Sequence, residues 1–165
     1  MATYKNRFSE SHGILGLTVD GDWNAGFTSD SIDMSKYNHA CVIIIGDASV
    51  AGNGIITVLA GNTAGSEAAA VSFSYRTSGA NVGSASSDVF SASSAPAASW
   101  TTTAATMASQ VSLIEFDAAD LNVSNTQYRY ANVTVDATGS AGTVSIVAIL
   151  SEPRYAEAIM DTAEA

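Results

Sequence analysis

The sequence predicts an all-β fold: an antiparallel β-sandwich, jelly-roll-like, of about seven or eight strands with an extended N-terminal arm and a C-terminal tail. Three observations predict it. Apolar and polar residues alternate with period two in several segments, as half-buried strands require. Short apolar runs are bounded by Gly, Asp, Asn and Ser, the residues that turn a chain. Apolar residues spaced for a helix and introduced by a cap are nearly absent.

Residues 1–13 are too polar and irregular for a strand and read as an arm. Gly16–Val19 and Thr28–Met34 are weak strands. Ala40–Ile45 and Gly54–Ala60 are strong ones; between them, Gly52-Asn53-Gly54 can supply positive φ, so the pair is expected to form a hairpin. "AVSFSYRT" puts Val71, Phe73 and Tyr75 on one face and Ser72, Ser74 and Arg76 on the other. Ser78–Thr106 is a long Ser/Ala/Gly/Thr stretch whose apolar anchors Val89, Phe90 and Trp100 suggest an excursion packed on a neighbouring subunit. Gln110–Phe116 is a further strand, and "DAADL", Asp117–Leu121, makes one helical turn. In "YRYANVTVD", Ala131, Val133 and Val135 oppose Tyr130, Asn132 and Thr134. "GTVSIVAIL" alternates and then becomes apolar on both faces. Residues 14–151 thus form one β domain, and residues 152–165 a tail with a frayed turn over Ala156–Ala163.

A chain of 165 residues can bury about 70% of its unfolded surface. With only six Leu and an excess of Ala, Ser, Thr and Gly, a thin core is expected, with stability shared with a partner or with identical copies. Sixteen acidic residues against six basic ones give a net charge of −10, which repels phosphate backbones and argues against nucleic-acid binding. The single cysteine rules out an internal disulfide and a cysteine-based zinc site. The polar opening "MATYKNRFSESHG" lacks the pattern of a signal peptide, and no apolar run nears the roughly 18 residues of a membrane span. A soluble protein made and assembled in cytosol is expected, so the sequons at Asn122 and Asn132 carry little weight.

Candidates for chemistry are sparse. His39 and Cys41 share a strand face, with Asp33 and Asp47 as conceivable orienting groups, but Cys41 opens an apolar run and is most simply a small packing residue. Asp20, Asp22 and Asn24 have the alternate-residue oxygen spacing of a calcium loop. The glycine then falls one place late at Gly26, and Ser31 stands where the bidentate Glu belongs. Glu115 and Asp117 share a face, with nothing to mark either as a buried acid. Trp23, Tyr37, Trp100, Tyr128 and Tyr130 could stack on sugars or serve a protein interface. No catalytic residue and no cofactor site is expected.

"SIDMSKYNHACVIIIGDAS" resembles a segment near the front of small structural proteins of tailed-bacteriophage virions, with Asp33, Met34, Tyr37 and Asn38 in matching places. "YRYANVTVDATGSAGTVSIVAILSEPRYAEA" resembles the ending of the same group through Arg129, Tyr130, Val133, Pro153, Arg154 and Tyr155. Lys36 stands where that group has Gly, and Ser151-Glu152 departs from its Gly before Pro-Arg. The resemblance implies a virion component without enzymatic activity. Its foremost role would be a head-decoration or cement protein on the outer capsid, assembled in the host cytoplasm, bound to the major capsid protein and to other copies of itself as a dimer or trimer. The alternatives are another virion part, in head–tail joining or in the tail or fibre, and a carbohydrate-binding adhesin domain. On this reading Tyr4, Lys5, Arg7 and Phe8 anchor the arm on an acidic protein surface. Trp100 in the long loop, and Pro153, Arg154 and Tyr155 in the tail, meet neighbouring copies.

Overall fold

A computed structural model describes residues 8–78 and 90–154. The chain begins with a single helical turn, α1 (Phe8–Ser11), followed by β1 (Gly13–Asp22), β2 (Phe27–Thr28), β3 (Ile32–Asp33), β4 (Tyr37–Gly46) and β5 (Gly54–Gly61). Next come β6 (Ala69–Val71), β7 (Ser74–Thr77), β8 (Trp100–Thr102), α2 (Ala104–Met107) and β9 (Val111–Asp117). A 3-10 turn at Ala118–Leu121 leads to β10 (Asn122–Val123), β11 (Thr126–Gln127), β12 (Tyr130–Val135) and β13 (Thr143–Pro153).

The strands form two antiparallel sheets that enclose one core. The first has the order β1-β13-β4-β9-β7, and the second the order β2-β12-β5-β6, with β3 also on β12 and β8 on β5. β10 and β11 make a small separate ribbon. The all-β sandwich-like architecture expected from the alternation is what the chain adopts. Inward residues Ala40, Val42 and Ile44 of β4, and Val144, Ile146, Ala148 and Leu150 of β13, face Ile56, Val58, Ala131 and Val133 of the second sheet, and all are buried. The core is richer than the composition suggests: Trp23, Tyr37, Phe73, Met34 and Met107 are also fully buried.

Four expectations are corrected. β4 and β5 are not a hairpin, because β4 pairs with β9 and β13 in one sheet while β5 pairs with β12 and β6 in the other. Gly52 does adopt positive φ, at 71°, but the turn carries the chain from layer to layer. "AVSFSYRT" is not one strand: β6 lies on β5, β7 lies on β9, and the chain changes sheet between them. The alternation persists because Val71 and Phe73 stay buried through the crossing.

The long loop, in its described part, packs on its own domain. Ser91, Ser94 and Ala97 donate backbone N–H groups to the carbonyls of Thr77, Tyr75 and Phe73, which covers the edge of β7. Trp100 then joins β5 and is buried with its ring stacked on Tyr75 at 4.6 Å. Finally, the weak strand at Thr28–Met34 is two short pieces, β2 and β3, both on β12. The turn at Asp117–Leu121 is present as expected, with Asp120 capping the Asp117 N–H at 2.8 Å. Ala156–Ala163 lies outside the described residues. No helix among the described residues is long and apolar enough to cross a membrane.

Candidate functional site

One end of the first sheet collects most of the residues that the sequence singled out. β13 ends there, with Pro153 opposite Tyr37, and the Arg154 N–H donates to the Lys36 carbonyl at 2.9 Å. β1 starts at the same end, where Gly13 pairs with Leu150 and leaves so little room that an added Cβ would sit 3.0 Å from the Tyr37 hydroxyl. Both terminal segments therefore join the domain at this end. Arg129 reaches it from β12: its Nε donates to Asp33 Oδ1 at 3.0 Å and its Nη2 to Oδ2 at 2.5 Å. The Met34 N–H also donates to the Arg129 carbonyl at 3.0 Å.

The electrostatics of the pair follow from partial burial. Desolvation pushes the Asp33 carboxyl up, but hydrogen bonds from Arg129 and Ser35, with the nearby guanidinium charge, outweigh it and hold the group at about 2. Arg129 is pushed up in turn by its bonds to Asp33. Its guanidinium lies 4.9 Å over the Tyr130 ring, which further fixes its plane. Two of its five N–H donors serve Asp33.

Beside this pair lies an open basin of about 550 Å³. It is lined by Met34, Asn38, Gln127, Tyr128, Arg129 and Arg154. Lys36, Arg129 and Arg154 are three of the six basic residues of the chain. Asp33 and Glu152 sit among them, so this end is mixed in sign within an otherwise acidic protein. Donors of this kind, held in place by a buried carboxylate, suit the recognition of carboxylates on another protein.

The other sequence candidates are dispersed. Tyr4, Lys5, Arg7 and Tyr155 lie outside the described residues. Phe8 is 53% exposed, with its ring stacked on His12 at 4.0 Å. Trp100 is a core residue and cannot reach a neighbouring copy, which corrects its assignment to an interface. Burial of Trp23 and Tyr37 likewise removes them as platforms for sugars.

The calcium candidates do not converge. Asp22 spends Oδ1 on the N–H groups of Asn24 and Ala25, and Asp20 sits at positive φ with its N–H on Ser145 Oγ. Among the described residues no group of three His, Cys, Asp or Glu is placed to hold a metal ion.

His39 and Cys41 do share the outer face of β4. His39 Nδ1 is 2.7 Å from Asp117 Oδ1, and Nε2 is 3.8 Å from Glu115. Burial, and then the Glu115 charge, push the Cys41 thiol up. Both effects disfavour the thiolate that a Cys–His nucleophile needs.

Sequence reasoning missed the outer face of the first sheet. Cross-strand register aligns Ile149 with Cys41, Val147 with Ile43 and Leu113, and Ser145 with Ile45 and Val111. Ile14 extends the first of these rows onto β1. Ile14 is 53% exposed and Ile45 44%, and Val19 on the same edge strand is 78% exposed. The signal was present as an apolar run on both faces of β4 and β13, which composition alone reads as burial on both sides.

No protein-family model matches the chain, and no curated protein matches it. Among solved structures, the crystal structure of the SPBc2 prophage-derived protein YomS is similar. It is 12% identical, with 84% of this chain and 91% of that one covered and a TM-score of 0.48. A likeness of that degree carries no argument about what this chain does.

Proposed function

We propose that this chain is a non-enzymatic structural protein of a tailed-phage virion, a head-decoration or cement protein that sits on the outer surface of the major capsid protein. The observation that carries the reading is the convergence at one end of the first sheet. The described chain enters through α1 and β1 and stops at Pro153–Arg154 at the same end of the first sheet, where Arg154 and Arg129, the latter bonded to Asp33, line one basin. An end built this way offers cationic donors, one of them held in place by a carboxylate, which suits attachment to a broad carboxylate-bearing protein surface. The sequence resemblance rests on the same residues: Asp33, Met34, Tyr37, Arg129 and Pro153 are what tie front and rear strands together here. A net charge of −10 keeps such a protein off packaged nucleic acid. Docking to the shell would add to the stability of the folded chain by mass action.

The test is decoration of undecorated particles by the purified full chain, compared with a chain lacking residues 2–7 and with Arg154→Ala. Wild type should saturate particles at a copy number comparable to the shell protein, and both variants should bind more weakly while remaining folded. Failure of wild type to bind particles, or a small fixed number of copies per virion, would reject the cement role; the second outcome would indicate a head–tail joining or tail component instead.

A further inference from the structure

We infer that the outer face of the first sheet is the contact surface between two copies of this chain. The inference does not depend on the virion reading. It starts from the outside of the domain, where Ile14 and Ile45 are exposed and Cys41, Ile43, Val147 and Ile149, aligned between them, are half-buried, forming one apolar field. Monomeric soluble proteins seldom leave an apolar patch of this kind bare.

Charge and size point to a second copy. Two chains of net charge −10 repel one another over most of their surfaces, so they can meet only where charge is absent. In the three central rows charge stands at the margins, in Glu115 and Arg76 on the β9 and β7 side and in Asp20 beside Ser145 at the β1 edge. Five strands about 4.8 Å apart and three rows of outward residues give a footprint of about 500 Å² per copy, or about 1,000 Å² for the pair. That reaches the lower bound of a specific interface.

Arg76 Nε is covered yet makes no hydrogen bond, and its nearest carboxylate oxygen, on Glu115, is 3.7 Å away, so the charge at the β9 and β7 side of the field is a loose pair.

The experiment uses the full chain and the single native cysteine, Cys41, which lies in the field. Mass in solution is measured by light scattering over a dilution series, and Cys41 labelling by a maleimide is timed in the same samples. Wild type should have the mass of two chains, and label about tenfold faster once diluted to one chain. Ile45→Glu should give single chains with fast labelling and an unchanged circular dichroism spectrum. Ile14→Glu, at the exposed sheet edge, serves if Ile45→Glu does not fold. Single chains at every concentration would overturn the inference, whether Cys41 labels fast, as on a bare face, or slowly, as under a segment of its own chain. A mass of three chains, or a two-chain mass unaffected by either substitution, would overturn it as well.

Discussion

Arg129 and Asp33 stand 96 residues apart in the chain and hold each other through two parallel hydrogen bonds, at 3.0 and 2.5 Å. The carboxylate is almost fully covered, whereas the guanidinium is half exposed. The folded protein keeps Asp33 ionised down to about pH 2, but the unfolded chain protonates it near the ordinary value of 3.8. More protons therefore bind the unfolded state in that window, so this contribution to stability is complete above about pH 4 and is lost as pH falls toward 2. Arg129→Met should therefore lower stability at pH 7 and have a much smaller effect near pH 2. Urea unfolding of both proteins across that range would measure it.

Gly54 and Gly16 should respond in opposite ways to the same change. A Cβ at Gly54 would stand 2.5 Å from the Trp23 ring, which is locked in place by its Nε1 hydrogen bond to the Ala51 carbonyl at 2.9 Å. Gly54→Ala should therefore destabilise by about 1–3 kcal/mol. A Cβ at Gly16 meets nothing within 4 Å. Gly16→Ala should be neutral or stabilise by about 0.5 kcal/mol, through reduced freedom of the unfolded chain. Denaturation midpoints followed by tryptophan fluorescence would separate the two.

Asn132 and Glu67 are both buried and joined by one hydrogen bond, from Nδ2 to Oε2 at 2.9 Å. Their other oxygens, Asn132 Oδ1 and Glu67 Oε1, have no hydrogen-bond partner. Asn132→Leu strips the carboxylate of its donor and should cost about 3 kcal/mol. Replacing both residues with apolar ones should recover most of that loss, because neither polar group is then left alone. A double-mutant cycle in urea is the measurement.

Trp100 and Phe8 were read together as contact residues, and the structure separates them. Trp100→Ala removes a buried ring stacked on Tyr75 and should cost about 3–5 kcal/mol of folding stability. Phe8→Ala, at an exposed position, should change stability by no more than about 0.5 kcal/mol. Thermal melts of the two variants would show whether the division is right.

What the sequence disclosed was whatever depends on local alternation. β12 and β13 were legible because six or more residues keep one side apolar, and β9 because Ile114 and Phe116 alternate with outward positions, and register follows from that periodicity. The partners of a strand were not legible. Gly52-Asn53-Gly54 specifies a change of direction, but whether the next strand lies beside β4 or in the opposite layer depends on β12 and β13, far along the chain. The crossing between Val71 and Ser74 was hidden for a related reason: the apolar–polar alternation of the sequence runs through it, with Val71 and Phe73 both buried, so nothing local marks the change of sheet. The candidate site was half visible. Its residues appeared in the two quoted segments, while the bond between Asp33 and Arg129 is a product of tertiary folding that no spacing encodes.

The described chain enters and ends at one end of the first sheet, and the turn at Ala51–Asn53 lies at the other pole, exposed and held by the Ala51 N–H on the Ala141 carbonyl and the Trp23 Nε1–H on the Ala51 carbonyl, each at 2.9 Å. This geometry fixes where foreign cargo could be carried. A peptide spliced in after Gly52 would emerge at the pole opposite the Tyr37–Pro153 end of the first sheet, on an exposed turn. The molecule thus has a built-in direction, and anyone using it to display an antigen or an enzyme would choose that loop.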